Sequence, residues 1–190
     1  MEGGIAGEYY MEGQREMASG FLLRPDGSFQ FFFTYGAMDR FGSGKWSVKD
    51  SRVTFNSRVK PLYDYVLMQS SANSSDFTTI KMDVPNPALL RHVFCSLQKG
   101  VEGSWEQMSQ EGDIQFPKQE VESVSLLFEF CPERFSIIPV HHPGHNEFTF
   151  RFEPTIMEVF FEIFSLQVDP GGLSGRHPLM EGDQFRYPKQ

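Results

Sequence analysis

His141-His142-Pro143-Gly144-His145 is the densest run of ligand-type side chains in the chain. A Pro-Gly turn centred on Pro143 and Gly144 would hold the Cα atoms of His142 and His145 within about 7 Å of each other. Two imidazoles at that separation can share a metal ion if a third donor completes the set, and Glu147 or the more distant His177 could supply it. The spacing matches no established zinc signature, and a polar turn joining two strands accounts for the same residues. A metal pair at His142, His145 and Glu147 is thus one of two expectations for this segment.

Other chemistry-bearing groups give weaker patterns. Glu158 and Glu162 share a strand face, which invites a paired-carboxylate reading, but four residues of strand separate them by about 13 Å. Glycoside hydrolysis uses roughly 5 to 9.5 Å, so cross-strand pairing with Arg151 is the expected role. Gly172-Leu173-Ser174-Gly175 lacks the G-x-S-x-G spacing of a nucleophile elbow and no helix follows it. Cys95 and Cys131 have no CxxC or Cys/His spacing, which leaves two buried thiols or one bridge. No P-loop, dinucleotide fingerprint or EF-hand loop occurs. These residues point to no catalytic group and no cofactor.

The elements that must position such residues are strands. Twenty Phe among 190 residues is a heavy aromatic load, and aromatic side chains pack well on a pleated surface. Asp26-Gly27 lies between two apolar runs, a strong hairpin signal. Read as a two-residue turn, it places Leu22 opposite Phe31, Gly20 opposite Phe33 and Ala18 opposite Tyr35. Asp50-Ser51 as a second tight turn sets Val48 opposite Val53 and Trp46 opposite Phe55, on one face. Strand-like runs begin at Gly7, Ser19, Phe29, Gly44, Arg52 and Tyr63, and a further eight fall between Thr78 and Val168. A loop at Pro154-Thr155-Ile156-Met157 would pair Phe152 with Val159, Phe150 with Phe161 and Phe148 with Ile163. Phe160 and Phe164 would then break the polar face, and the Gly/Pro-rich tail is the first candidate to cover them. Helical periodicity is confined to a turn or two at 87–92. Gly44-Lys45-Trp46 and Gly103-Ser104-Trp105 are similar, and shared hairpin grammar explains this.

The expectation is an all-β protein with little helix: an antiparallel meander over 1–69, a polar linker or loop at 70–76, and a β-sandwich or barrel with an irregular tail over 77–190. The two parts may equally form one continuous domain. A chain of this length can bury a core without staples. A net charge of −8 argues against nucleic acid, which needs clustered Lys and Arg. No run reaches the roughly 18 apolar residues of a membrane span. Met1-Glu2-Gly3-Gly4 lacks a basic segment and an apolar h-region. A cytoplasmic protein fits, as does a mature envelope domain whose leader has been removed.

Gly7-x-Tyr9, the Leu strand, Asp26-Gly27-x-Phe29, the Tyr-Gly strand end and Gly44-x-Trp46 with its following Val-x-Phe strand resemble the lipocalin-like meanders of small bacterial envelope proteins. The likeness is strongest to the N-terminal barrel of copper-resistance lipoproteins and related domains. It covers residues 7–57 and implies an antiparallel barrel-like start in a bacterial envelope setting. The cysteine pair those lipoproteins carry near the first strand is missing, so no metal role carries over.

Two functional expectations follow. One is a non-enzymatic binding or accessory module, holding an apolar small molecule or a partner protein on an aromatic-lined sheet or cavity around Phe29, Phe31, Phe33, Tyr35 and Trp46. The other is a metal-binding protein or metal-dependent enzyme built on the histidine turn.

Overall fold

A computed structural model describes residues 4–13, 16–36, 38–84, 86–97 and 104–190. Met1, Glu2, Gly3 and Gly103, which entered the readings of the N-terminus and of the internal similarity, lie outside the described residues. The strands are, in chain order, β1 (Gly7–Tyr10), β2 (Met17–Leu23), β3 (Ser28–Tyr35), β4 (Met38–Lys49), β5 (Arg52–Asn56), β6 (Tyr65–Ser71), β7 (Phe77–Asp83) and β8 (Val93–Ser96). There follow β9 (Glu106–Gln107), β10 (Asp113–Pro117), β11 (Ser123–Phe128), β12 (Ser136–Pro139), β13 (Glu147–Phe152), β14 (Phe164–Asp169), β15 (Gly172–Gly175) and β16 (Phe185–Pro188). The fold is all-β, as the aromatic and hairpin patterns predict. The 87–92 segment is a 3₁₀ helix opened by Pro87 and capped by Asn86, whose side chain accepts from the Ala88 N–H.

The chain forms two compact units, Met1–Lys60 with Met157–Gln190, and Pro61–Ile156. The expected boundary at 70–76 therefore falls inside the second unit, where it is the end of β6 and the connection to β7. That polar stretch is pinned rather than loose. The side-chain amide of Asn146, buried to 1% exposure, donates to Asn73 Oδ1 at 2.8 Å and to the Phe77 carbonyl at 2.9 Å, and its oxygen accepts from the Asn73 N–H at 2.8 Å.

The first unit is an eight-stranded sheet in the order β1-β2-β3-β4-β5-β14-β15-β16. It nearly closes on itself, because Tyr9 bridges Lys189 and the Gln190 N–H donates to the Glu8 carbonyl at 2.9 Å. The meander β1 to β5 is contiguous, and β14 then pairs with β5, setting Phe164 opposite Phe55. The tail is not irregular: Pro170-Gly171 turns β14 into β15, with Gly171 at φ 86°, and β16 completes the sheet.

Registers decide which side chains face inward. The second hairpin forms as its pattern predicts, with Val48 opposite Val53 and Trp46 opposite Phe55. Its turn residues Asp50 and Ser51 both take positive φ, 51° and 58°, as a tight hairpin turn demands. The first hairpin differs by one residue. Leu23 pairs with Phe29 and Phe21 with Phe31, so Gly20 faces Phe32 and Ala18 faces Thr34. The cause is Pro25, whose fixed φ makes the loop three residues long, with Gly27 at φ 75° in the left-handed position. The Gly27 N–H donates to the Arg24 carbonyl at 3.0 Å, and the Arg24 N–H to the Ser28 carbonyl at 2.8 Å.

The hairpin expected across 154–157 does not form. A 3₁₀ helix occupies Pro154–Met157, and β13 instead lies between β7, parallel, and β6, antiparallel, with Phe150 beside Met82 and Leu67. Arg151 reaches Glu153 at 3.4 Å, and the buried Glu158 carboxylate is held by Arg58 at 2.7 Å. Residues 158–163 return across β4, where Glu158 bridges Phe41 and the Val159 N–H donates to the Phe41 carbonyl. A side chain at Gly42 would collide with the Phe161 ring and the Val159 carbonyl, so glycine is what admits this crossing.

The crossing ends at Ile163, a β-branched residue at φ 49° and 71% exposed. Left-handed backbone costs a non-glycine residue about 1–2 kcal/mol. Ile163→Gly is expected to raise the urea midpoint, by about 0.5–1 kcal/mol of stability after the glycine's added unfolded-state entropy is deducted; a lowered midpoint would contradict this.

The second unit holds two four-stranded sheets, β10-β7-β13-β6 and β12-β11-β8-β9. Phe128 of one meets Phe152 of the other at 4.9 Å between ring centroids. Cys95 and Cys131 are buried there as free thiols, and burial pushes the Cys95 thiol up to about 12.

Candidate functional site

Phe29, Phe31, Phe33 and Trp46 were expected to line a sheet face or cavity, and all four are buried in the barrel interior. The rings of Phe29 and Phe31 are linked through Phe21, Phe55, Phe161 and Phe164, at centroid separations of 4.8 to 6.4 Å. Trp46 also locks the first hairpin, its indole N–H donating to the Arg24 carbonyl at 3.0 Å. Tyr35 is not part of this set: it lies at the far end of β3 and is 47% exposed. Phe164 closes the interior, with the Arg176 guanidinium 4.9 Å from its ring and Leu173 and Tyr187 of the tail buried in the same core. Phe160 carries the Arg58 guanidinium at 5.2 Å.

One polar pair is set into this interior. His177, 4% exposed, lies beside Phe33 and Phe185 at 5.2 and 5.5 Å. Its Nδ1 accepts from the Leu179 N–H at 3.0 Å, so Nε2 carries the proton and donates to Ser19 Oγ at 3.0 Å. Ser19 passes the chain on to the Phe32 carbonyl at 3.0 Å. The polarity is the reverse of a Ser-His nucleophile pair, in which the imidazole must accept the hydroxyl proton. The pair is a structural bridge from the tail to β2.

Burial lowers the His177 pKa to about 4. The unfolded chain takes up the proton near pH 6.5 and the folded chain does not, so acid favours unfolding between those values. Stability is expected to fall by about 3 kcal/mol as pH drops from 6.5 to 4 through this residue alone. Urea titrations at a series of pH values should show that increment missing in His177→Gln; an unchanged slope would refute the assignment.

The histidine turn forms as drawn, with the His145 N–H donating to the His142 carbonyl at 3.1 Å and Gly144 at φ 78°. The His142 and His145 rings stack at 5.2 Å. The third donor is engaged elsewhere: Glu147 is bound by Lys81 at 3.1 Å, and His145 Nδ1 meets Ser70 Oγ at 2.9 Å. Among the described residues no three His, Cys, Asp or Glu side chains gather as a metal would require.

No family model matches the chain, and neither a curated protein nor a solved structure does.

One concave feature of this barrel, formed by its aromatic strands, is on its outer face. A groove of about 450 Å³ runs over β1 to β4; Glu8, Tyr10, Leu22, Gln30, Phe32, Phe41 and Ser43 line it from the outer face, and Phe21, Phe31 and Gly42, between them on the strands, also border it. The registers align these residues in two rows. Glu8, Leu22, Gln30 and Ser43 are successive cross-strand partners, as are Tyr10, Gly20, Phe32 and Phe41. Gly20 lets the aromatic row close up, because Tyr10 and Phe32 meet edge to face at 5.8 Å above it. Phe41 is 50% exposed and Tyr10 42%. A one-residue shift hid this row from the sequence: with Gly20 set opposite Phe33, Phe32 falls opposite Phe21 and not opposite the glycine over which Tyr10 and Phe32 meet. Phe41, Gly42 and Ser43 precede the strand expected from Gly44, and β4 in fact begins at Met38, which hides the other half of the row.

Proposed function

We propose that the protein is a non-enzymatic binding module whose site is the outer groove of β1 to β4, taking a small, largely apolar molecule. The observation that carries this reading is the aromatic row of exposed Tyr10 and Phe41 with half-buried Phe32, in a concavity of about 450 Å³, within the 300–1,000 Å³ usual for small-ligand sites. A polar rim of Glu8, Gln30 and Ser43 can orient a ligand above these rings. The resemblance of 7–57 to lipocalin-like meanders agrees with a binding role, though the ligand surface is moved from the inside of the barrel to the outside. The aromatic-lined sheet thus remains the functional surface, with its membership changed from Phe29, Phe31, Phe33 and Trp46 to Tyr10, Phe32 and Phe41.

Fluorescence titration with the neutral dye N-phenyl-1-naphthylamine tests the reading. Saturable binding should weaken by at least tenfold in Phe41→Ser, about 1.4 kcal/mol or more, while the interior variant Phe33→Leu should bind within twofold of the original chain. Equal binding by the original chain and Phe41→Ser would refute the groove.

A further inference from the structure

The groove has a charge pattern that narrows its ligand, and this inference rests on the binding role proposed above. Along each strand, same-face neighbours are about 7 Å apart. On β1 the residue two before Tyr10 is Glu8, and on β4 the residue two before Phe41 is Asp39, opposite Thr34. Both carboxylates are on the outer face and exposed. They stand at opposite sides and opposite ends of the aromatic row, because β1 and β4 run in opposite directions. Glu8 is held toward the row, its Oε2 accepting the Tyr10 hydroxyl at 2.8 Å. The cations on this face lie one row beyond Glu8, further from the aromatic row: Arg24 is occupied in donating to Gln30 Oε1 at 2.9 Å, and Lys45 is opposite Ser28.

Aromatic faces present negative charge to a ligand, and a carboxylate at their edge adds to it. Tyr10 and Phe32 meet with their ring planes at 62°, two walls of a corner rather than a flat stack, and Phe41 is the cross-strand partner of Phe32. Rings angled to one another beside carboxylates make the arrangement that holds a soft, weakly hydrated cation: they shield its methyl groups from water while leaving its charge near an anion. A neutral apolar ligand would make no use of Glu8 or Asp39. An anion would be repelled by both, and by the net charge of −8.

We infer that the groove binds a small quaternary ammonium ion, with the alkylated nitrogen over Tyr10, Phe32 and Phe41 and its charge offset by Glu8 and Asp39. The polar row of Gln30 and Ser43 is then placed to accept or donate to a hydroxyl or carbonyl on the rest of the ligand.

NMR titration of the full chain with choline, and with its uncharged isostere 3,3-dimethylbutan-1-ol, separates the charge from the shape. Choline should bind at least tenfold more tightly than the alcohol. Phe41→Leu should weaken choline at least fivefold, and Glu8→Gln at least threefold, with little change for the alcohol and with Trp46 emission unaltered. Equal affinity for choline and the alcohol would overturn the cation assignment while leaving the apolar groove intact. Binding of N-phenyl-1-naphthylamine with no response to choline would do the same. Failure of all three probes would overturn both the assignment and the binding role. Because the same headgroup occurs in lipids, phosphatidylcholine vesicles form the last arm: no partition onto them is expected, and partition without any response to free choline would overturn the free-ligand assignment.

Discussion

Phe161→Ala is expected to destabilise the barrel unit by about 3–5 kcal/mol, the range for deleting a buried phenyl ring from a core that cannot collapse around the gap. Phe161 belongs to no strand, yet its ring is within 5.2 to 6.2 Å of Phe21, Phe29, Phe31, Phe55 and Phe164. It is brought there by the 158–163 return across Gly42, so its contacts come from four different strands. That dispersion explains why little relaxation is expected: no single neighbour can move into the space without leaving its own register. Urea unfolding followed by Trp46 emission in a Trp105→Phe background would report on this unit, because Trp46 is its single tryptophan. A loss below about 1 kcal/mol would mean that Phe161 is not the centre of the core.

Arg134→Met is expected to cost the second unit about 3–5 kcal/mol, for an electrostatic reason. Arg134 and Asp64 are each 5% exposed. The guanidinium grips the carboxylate through two nitrogens, Nε to Oδ2 at 2.7 Å and Nη2 to Oδ1. The contact also fixes backbone: the Asp64 carbonyl accepts from the Glu153 N–H at 2.8 Å, and the Arg134 N–H donates to the Cys131 carbonyl at 2.8 Å. Removing the cation leaves a carboxylate in an apolar setting without its counter-charge. The double variant Asp64→Leu with Arg134→Met should be less destabilised than Arg134→Met alone, since a buried pair replaced by apolar groups is often close to neutral. Trp105 emission in a Trp46→Phe background measures both. Additive losses in the double variant would show that the two residues act separately.

The parts of the fold that follow from local chemistry were legible in the sequence. Asp50-Ser51 and the Val and aromatic alternation around it define their hairpin fully, down to the partners. Asp26-Gly27 predicts its hairpin but not its register, because Pro25 extends the loop and a shift of one residue exchanges the faces. Pro170-Gly171 is as good a turn signal as either, yet its flanks are too short and too rich in glycine to read as strands. The pairing of β5 with β14 has no local signature at all: the residues between Asn56 and Phe164 include the whole second unit, and long-range pairing is settled by burial. Phe160 to Phe164 alternates like a strand while serving instead as a crossing and a plug.

The candidate site was half legible for the same reason. Heavy aromatic content draws attention to β3 and β4, but which rings are inside depends on the register, and the register assigns Phe29, Phe31 and Phe33 to the core and Phe32 to the outer face. Asp64 and Arg134, far apart in sequence, carried no signal.

The central claim, that ligand meets the outside of this barrel and not its interior, is tested most directly by NMR of a chain with isotope-labelled phenylalanine. On addition of N-phenyl-1-naphthylamine, the ring signals of Phe32 and Phe41 should shift progressively to saturation while those of Phe29 and Phe33 stay in place. Shifts at Phe29 and Phe33 without shifts at Phe32 and Phe41 would contradict the account and return the ligand to the barrel interior.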